Sequence, residues 1–154
     1  MEEFGINLHV DELVSIQFQH WVAPPLFEDT FPFLETLQNA GLKIAIVSNI
    51  DRADIEAALI STGIKCDAVL TSEDVRAYKP HPDLFSTALD MMQIDRDEVL
   101  LGDSRTSDVA GVIRAGIPVA WINRTGKTTD GDLVPNYEVS SLSELSGIVA
   151  DLSA

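Results

Sequence analysis

Apolar positions along the chain alternate between two rhythms. Short β-branched runs, Lys43 to Val47, Ala68 to Leu70, Val99 to Leu101 and Val119 to Ile122, have the length and composition of strands buried in a parallel sheet. Between them lie stretches with helical spacing: Phe33, Leu34 and Leu37 after a capping Thr30; Ile55, Ala58 and Leu59 after Asp51; Leu84, Phe85, Ala88 and Leu89 after Pro82; and Thr106 to Ala115. Gly41, Gly63 and Gly116 follow three of these helices, where a left-handed residue closes the last turn. Tyr137 to Val139 reads as a final short strand, and Ser141 with Glu144 as a capping box for a last helix. Strands alternating with helices over short connections predict right-handed crossovers and an α/β, Rossmann-like, mostly parallel sheet with helices on both faces.

The first residues follow a different pattern. Leu13, Ile16 and Phe18, with His20 and Trp21 beyond, predict an amphipathic helix from about Val10, and Ile6, Leu8 and Val10 alternate as a short strand would. Ala23-Pro24-Pro25 breaks the pattern, since neither proline can donate a backbone hydrogen bond. The expected organisation is therefore residues 1–22 as one segment and 23–154 as the core.

Length and charge narrow the function. A chain of 154 residues suffices for one domain with a sizeable core. A formal net charge of -15 argues against sequence-independent binding to nucleic acid or an anionic membrane. The single cysteine, Cys66, fits a reducing compartment, and neither a signal peptide nor a membrane span is apparent, so a cytoplasmic location is expected.

Candidate chemistry gathers at strand ends. Ser48 and Asn49 end one strand and Asp103 another, and Lys79 lies in a connection between them, so one crevice at the carboxyl edge of a parallel sheet can receive all four. Asp103 is a hard oxygen ligand suited to Mg2+, Asp108 can support it, and Ser48, Asn49 and Lys79 can hold phosphate oxygens. Each has a plainer reading: Asp103 and Asp108 as turn or cap residues, Ser48 and Asn49 as turn formers, Lys79 as a solvated lysine, and Asp51 as the N-cap of its helix. His9, His20 and His81 show no metal-ligand spacing. Trp21 and Trp121 read as core or interface residues, and Cys66 as a small buried hydrophobe.

Taken together, VSN after a strand, YKPHPDLF before a helix and LLGDSRTSDVAG after another strand resemble, in order and spacing, three of the four signature motifs of the haloacid dehalogenase superfamily. KPHP with GDSxxxD is most similar to the branch containing phosphoglycolate-phosphatase-like enzymes. The resemblance, from about Phe27 to the C-terminus, implies a magnesium-dependent phosphomonoester hydrolase acting on a small phosphorylated metabolite. Ser48 would bind the phosphoryl group, Lys79 would neutralise it, and Asp103 would ligate magnesium with Asp108 in support. Residues 1–22 would be the remnant of a helical cap.

The family's first motif, an apolar strand ending in Asp-x-Asp, carries the nucleophile and the acid-base group. No such strand is present: Asp130-Gly131-Asp132 follows the polar NRTGKTT and reads as a turn. The resemblance thus implies an N-terminally truncated chain with a weakened Mg2+ site, in which Asp51 is a substitute carboxylate. The gap in the sheet would be filled by Ile6 to Val10, by strand exchange in a homodimer, or by direct closing of the sheet. Alternatives are a non-catalytic phosphate-binding module, half of a split enzyme, and, within the family, a 2-haloacid dehalogenase.

Overall fold

The computed structural model describes residues 10–96, 100–128 and 131–152. The expectations placed on Ile6, Leu8, His9, Val99 and Asp130 lie outside these residues; Val10 opens a helix. The chain divides into two compact units. The smaller comprises residues up to Leu26 with Arg52–Lys65, and the larger Phe27–Asp51 with Cys66–Ala154. The proline-rich segment thus ends the first stretch of the smaller unit, to which the sequence pattern gave no sign that Arg52–Lys65 would also belong.

In the smaller unit, α1 (Val10–Val22) is followed in space by α3 (Arg52–Thr62). The Ser61 hydroxyl, in the last turn of α3, donates to the carbonyl of Val22 at 2.6 Å, tying the two helix ends together. Phe18 and Trp21 pack edge to face with centroids 5.3 Å apart. Both remain exposed, so of the core and interface readings of Trp21 the core one does not hold.

The larger unit holds every strand: β1 (Ala45–Ser48), β2 (Ala68–Thr71), β3 (Leu100–Gly102), β4 (Val119–Ile122) and β5 (Tyr137–Val139). Its helices are α2 (Thr30–Asn39), α4 (Ser72–Val75), α5 (Pro82–Met92), α6 (Ala110–Arg114) and α7 (Leu142–Leu152). All strand pairs are parallel, in two sheets ordered β1-β2 and β3-β4-β5. Among the described residues no ladder joins β1 to β3, so the sheet has not closed directly. This explains why β1, expected to be buried on both faces, is only half-buried along its length, while the better-covered β4 is buried throughout.

Three side-chain clusters hold the unit together. Phe85, Leu89, Val109, Val112, Ile117, Val119 and Trp121 form one, against which Val47 also packs. Leu70, Leu84 and Ala88 form a second under β1 and β2. Phe33, Ala120, Ile122, Val139 and Leu145 form a third on the opposite face of β4. Alternation along β4 sends Val119 and Trp121 to one face and Ala120 and Ile122 to the other. Fully burying side chains of this size contributes about 1.5–3 kcal/mol each.

Helix ends show where local sequence rules hold. Gly41, Gly63 and Gly116 adopt φ of 70°, 72° and 70° as helix terminators. Pro82 opens α5 behind His81, whose Nδ1 accepts from the Asp83 N–H. Glu144 and Ser141 cap α7, although the Glu144 carboxylate accepts from Ser140, one residue earlier than the capping box predicts. At α2, Thr30 is the first helical residue rather than the cap. Asp29 holds the cap position, but its carboxylate bonds elsewhere. Short α4, capped by Thr71 and Asp74, was not visible in the apolar spacing. The helix expected over Thr106 to Ala115 begins one residue earlier, as a π-helical turn, Arg105–Val109, before passing into α6.

Candidate functional site

Three of the predicted residues converge at the end of β3. The strand runs out at Gly102, Asp103 follows, and the π-helical turn brings Asp108 back toward the strand. Gly102 is required for this approach, since a Cβ there would sit 2.7 Å from the Asp108 Cβ. The Asp108 carboxylate accepts from the Ser104 N–H at 2.9 Å and from the Lys79 ammonium at 2.6 Å. Lys79 also donates to the carbonyl of Val47 at 3.1 Å, which links the end of β1 to the loop after β3. Lys79 is therefore not a solvated surface lysine, its side chain being 15% exposed.

Asp103 and Asp108 share one environment and titrate apart. The Asp103 carboxyl is pushed above its ordinary range by a hydrogen bond to Asp108, by burial and by repulsion from that second carboxylate; Lys79 and the Ser104 N–H only partly offset this. Burial alone would also raise Asp108, but hydrogen bonds from Asp103 and Lys79, the Lys79 charge and the Ser104 N–H outweigh it and hold Asp108 below the usual range. One ammonium thus serves two carboxylates, and the uncompensated negative charge rests on exposed Asp103.

The other predicted residues are placed as follows. Ser48, half-buried, ends β1 next to Val47, the residue that Lys79 grips. Asn49 is exposed and its amide pairs with the main chain of Lys79: Oδ1 accepts from the Lys79 N–H at 2.8 Å, and Nδ2 donates to its carbonyl at 3.2 Å. Asp51, also exposed, directly precedes α3, and no hydrogen bond joins it to the cluster. Sequence reasoning missed Trp121. Its indole N–H donates to the Asp103 carbonyl at 3.1 Å from a fully buried position on β4, fixing the main chain at the start of the loop. The pattern along β4 marks Trp121 as core, and nothing in it marks the polar end of the ring.

Oxygen donors, one of them carrying unneutralised charge, suit a hard divalent cation. Asp103, the more exposed of the two, would be the ligand; Asp108, which accepts from Lys79 and Ser104, would stand behind it. Among the described residues no group of three or more His, Cys, Asp or Glu side chains is placed to hold a metal ion.

The family profile for haloacid dehalogenase-like hydrolases matches residues 5–122. The chain belongs to that family. Among its relatives, (S)-2-haloacid dehalogenase 4A of Burkholderia cepacia is 32% identical over 127 residues, 80% of this chain and 55% of the relative. Pyrimidine 5'-nucleotidase YjjG of Escherichia coli K12 is 36% identical over 107 residues, 67% of this chain and 48% of the relative. A crystal structure of a HAD phosphatase from Thermococcus onnurineus matches with a TM-score of 0.74 and 32% identity, over 96% of this chain and 67% of that one. The chain spans about half the length of the dehalogenases it matches. It has the α/β fold expected from its strand and helix pattern. No helix among the described residues is long and apolar enough to cross a membrane.

Proposed function

We propose that this hydrolase-family chain carries the phosphate- and magnesium-binding half of a phosphomonoester hydrolase acting on a small phosphorylated metabolite. The observation that carries the reading is the pairing of Asp103 with Asp108 beside a single lysine. A second carboxylate in the crevice would repel the carboxylate of a 2-haloacid, and displacement of halide from carbon needs no cation. A phosphate ester, by contrast, arrives with a divalent cation that such a pair attracts.

Each residue then has a task. The Lys79 ammonium, aimed by Val47 and Asp108, neutralises a phosphoryl oxygen. Ser48 donates its hydroxyl to another. Asp103 and Asp108 would hold magnesium, which when bound supplies positive charge against the phosphoryl group. Asp108 also orients the Lys79 ammonium. Among the described residues no strand ends in Asp-x-Asp, so the nucleophile of a covalent route would come from a further strand. The edges of β1 and β3, unpaired among the described residues, favour, as a second reading, donation of that strand by another polypeptide or by a second copy in a homodimer.

Calorimetry with inorganic phosphate and Mg2+, together with a panel of small phosphate esters and 2-haloacids, tests the proposal. Saturable phosphate binding that needs Mg2+, weakens sharply but measurably in Lys79→Ala and weakens in Asp103→Asn is expected. Halide release from 2-haloacids without phosphate binding would replace this reading with the dehalogenase one.

A further inference from the structure

We infer that Asn49 is a positioning residue that acts on phosphate only through Lys79. The inference rests on the reading of Lys79 as the phosphate-binding cation.

A lysine side chain loses much rotamer freedom when it is fixed, so its reach depends on where its backbone is held. In this chain the three-residue stretch ending β1 grips Lys79 at both ends. The Val47 carbonyl accepts from the ammonium at 3.1 Å. Two residues later, the Asn49 side chain accepts from the Lys79 N–H at 2.8 Å and donates to the Lys79 carbonyl at 3.2 Å. This two-point pairing closes a ring between an amide side chain and one residue's main chain, as a neighbouring strand would. It needs a donor and an acceptor side by side on a short stem, which a primary amide supplies. Aspartate would set a carboxylate against the Lys79 carbonyl, and serine has one oxygen for both tasks. Ring and ammonium contact together fix the backbone and the tip of Lys79 relative to the same strand, leaving the intervening methylenes little freedom to swing the charge away from Asp108.

Asn49 is the sequence neighbour of Ser48 and was expected to bind phosphate itself, and the two roles predict different coupling. A direct ligand contributes whether or not Lys79 is present, whereas a positioning residue contributes nothing once Lys79 is gone. The test is a double-mutant cycle on this chain, with inorganic phosphate and Mg2+ as the probe and Kd from calorimetry. Asn49→Ala should weaken phosphate binding about tenfold, the effect of losing one well-placed charge contact. Adding Asn49→Ala to Lys79→Ala should change Kd no further. Lys79→Gln, which can still hydrogen-bond to Asp108, replaces Lys79→Ala if the alanine variant does not fold. Additive effects would overturn the inference in favour of direct contact.

A ligand-free measurement separates this inference from the functional reading. Amide hydrogen exchange at Lys79 in the free protein should speed up by at least about tenfold in Asn49→Ala, because its acceptor is removed. The Lys79 Cε resonance should shift as the ammonium leaves its contacts. If exchange and resonance are both unchanged, Asn49 does not hold Lys79 and the inference fails. If wild type binds no phosphate, the functional reading fails while the exchange result still decides the positioning role.

Discussion

Asp29 and Asp108 are both largely buried carboxylates of the larger unit, each meeting a cation, at 2.8 Å from Arg124 and 2.6 Å from Lys79. Their neighbourhoods differ in balance. Asp29 takes two contacts from the Arg124 guanidinium and one from the Leu142 N–H at the start of α7, while Arg124 lies 4.0 Å above the Phe27 ring. One negative charge meets one positive charge, and the result ties α2 to α7 and to the loop after β4. Asp108 also meets one cation and one N–H, but Asp103 adds a second carboxylate that, among the described residues, has only the same Lys79 to offset its charge. A closed ion pair of the first kind fastens a fold. An open one of the second kind leaves a charge for a ligand to neutralise, and this excess, rather than burial or the presence of a salt bridge, distinguishes the two sites.

The comparison is broken most severely by Asp108→Ala. It strands the Lys79 ammonium and the Ser104 N–H, so the loss of stability should be about 3 kcal/mol, the low end for a buried pair that loses one partner. Mg2+-dependent phosphate binding should disappear with it. Urea unfolding followed by tryptophan fluorescence measures the first effect and calorimetry the second. A stable protein that still binds phosphate would mean that Lys79 needs no counter-ion, and the two carboxylate sites would no longer be comparable.

Asp29→Asn should have the next largest effect, about 1–2 kcal/mol, since an amide keeps one acceptor but loses the charge facing Arg124. Phosphate binding should be unchanged. The Arg124 hydrogen bond, first, and then the Leu142 N–H and the Arg124 charge hold the Asp29 carboxyl below its ordinary value of 3.8 against the opposing effect of burial. Because the folded state releases this proton more readily than the unfolded one, the charge contribution is fully present above 3.8 and is lost as pH falls through the lower, folded value. The stability difference between wild type and Asp29→Asn should therefore be constant at neutral pH and close below that range. A difference that persists in acid would assign the effect to packing.

These two sites also mark how far the sequence could be read. The meeting of Lys79 with Asp108 beside Asp103 was legible because a parallel sheet gathers its strand ends and the connections that follow them at one edge. Asp29 with Arg124 was not legible: the partners lie far apart in the chain, and nothing local marks Asp29 as other than a helix cap. The same limit hid Trp121, whose apolar face is set by the β4 alternation and whose N–H partner is set only by packing. Asn49 was found for its place beside Ser48, while its hydrogen bonds to Lys79 depend on the fold of a distant loop. The half-burial of β1 had the same origin, because strand composition does not reveal whether a neighbour is present.

Asp103→Asn has the smallest expected effect on stability, and its sign sharpens the comparison. Removing a charge from a closed pair destabilises; removing the excess charge from an open one should not. The hydrogen bond to Asp108, burial and repulsion raise the Asp103 carboxyl, so the folded state holds this proton more tightly than the unfolded state. Stability is therefore lost as pH rises from 3.8 through the raised value, and at neutral pH the ionised group carries a standing cost. Asp103 is exposed and screened by solvent, which limits that cost to about 0.5 kcal/mol or less. Asp103→Asn should match or slightly exceed wild type in urea at pH 7, with the gain vanishing in acid. Added Mg2+ should reverse the order, because a cation bound only by the folded state stabilises wild type in proportion to the logarithm of its concentration and stabilises the variant, with its weakened site, less. If Asp103→Asn is clearly destabilised without metal, Asp103 belongs with Asp29 as a structural carboxylate, and the excess charge at this crevice is not what holds a ligand.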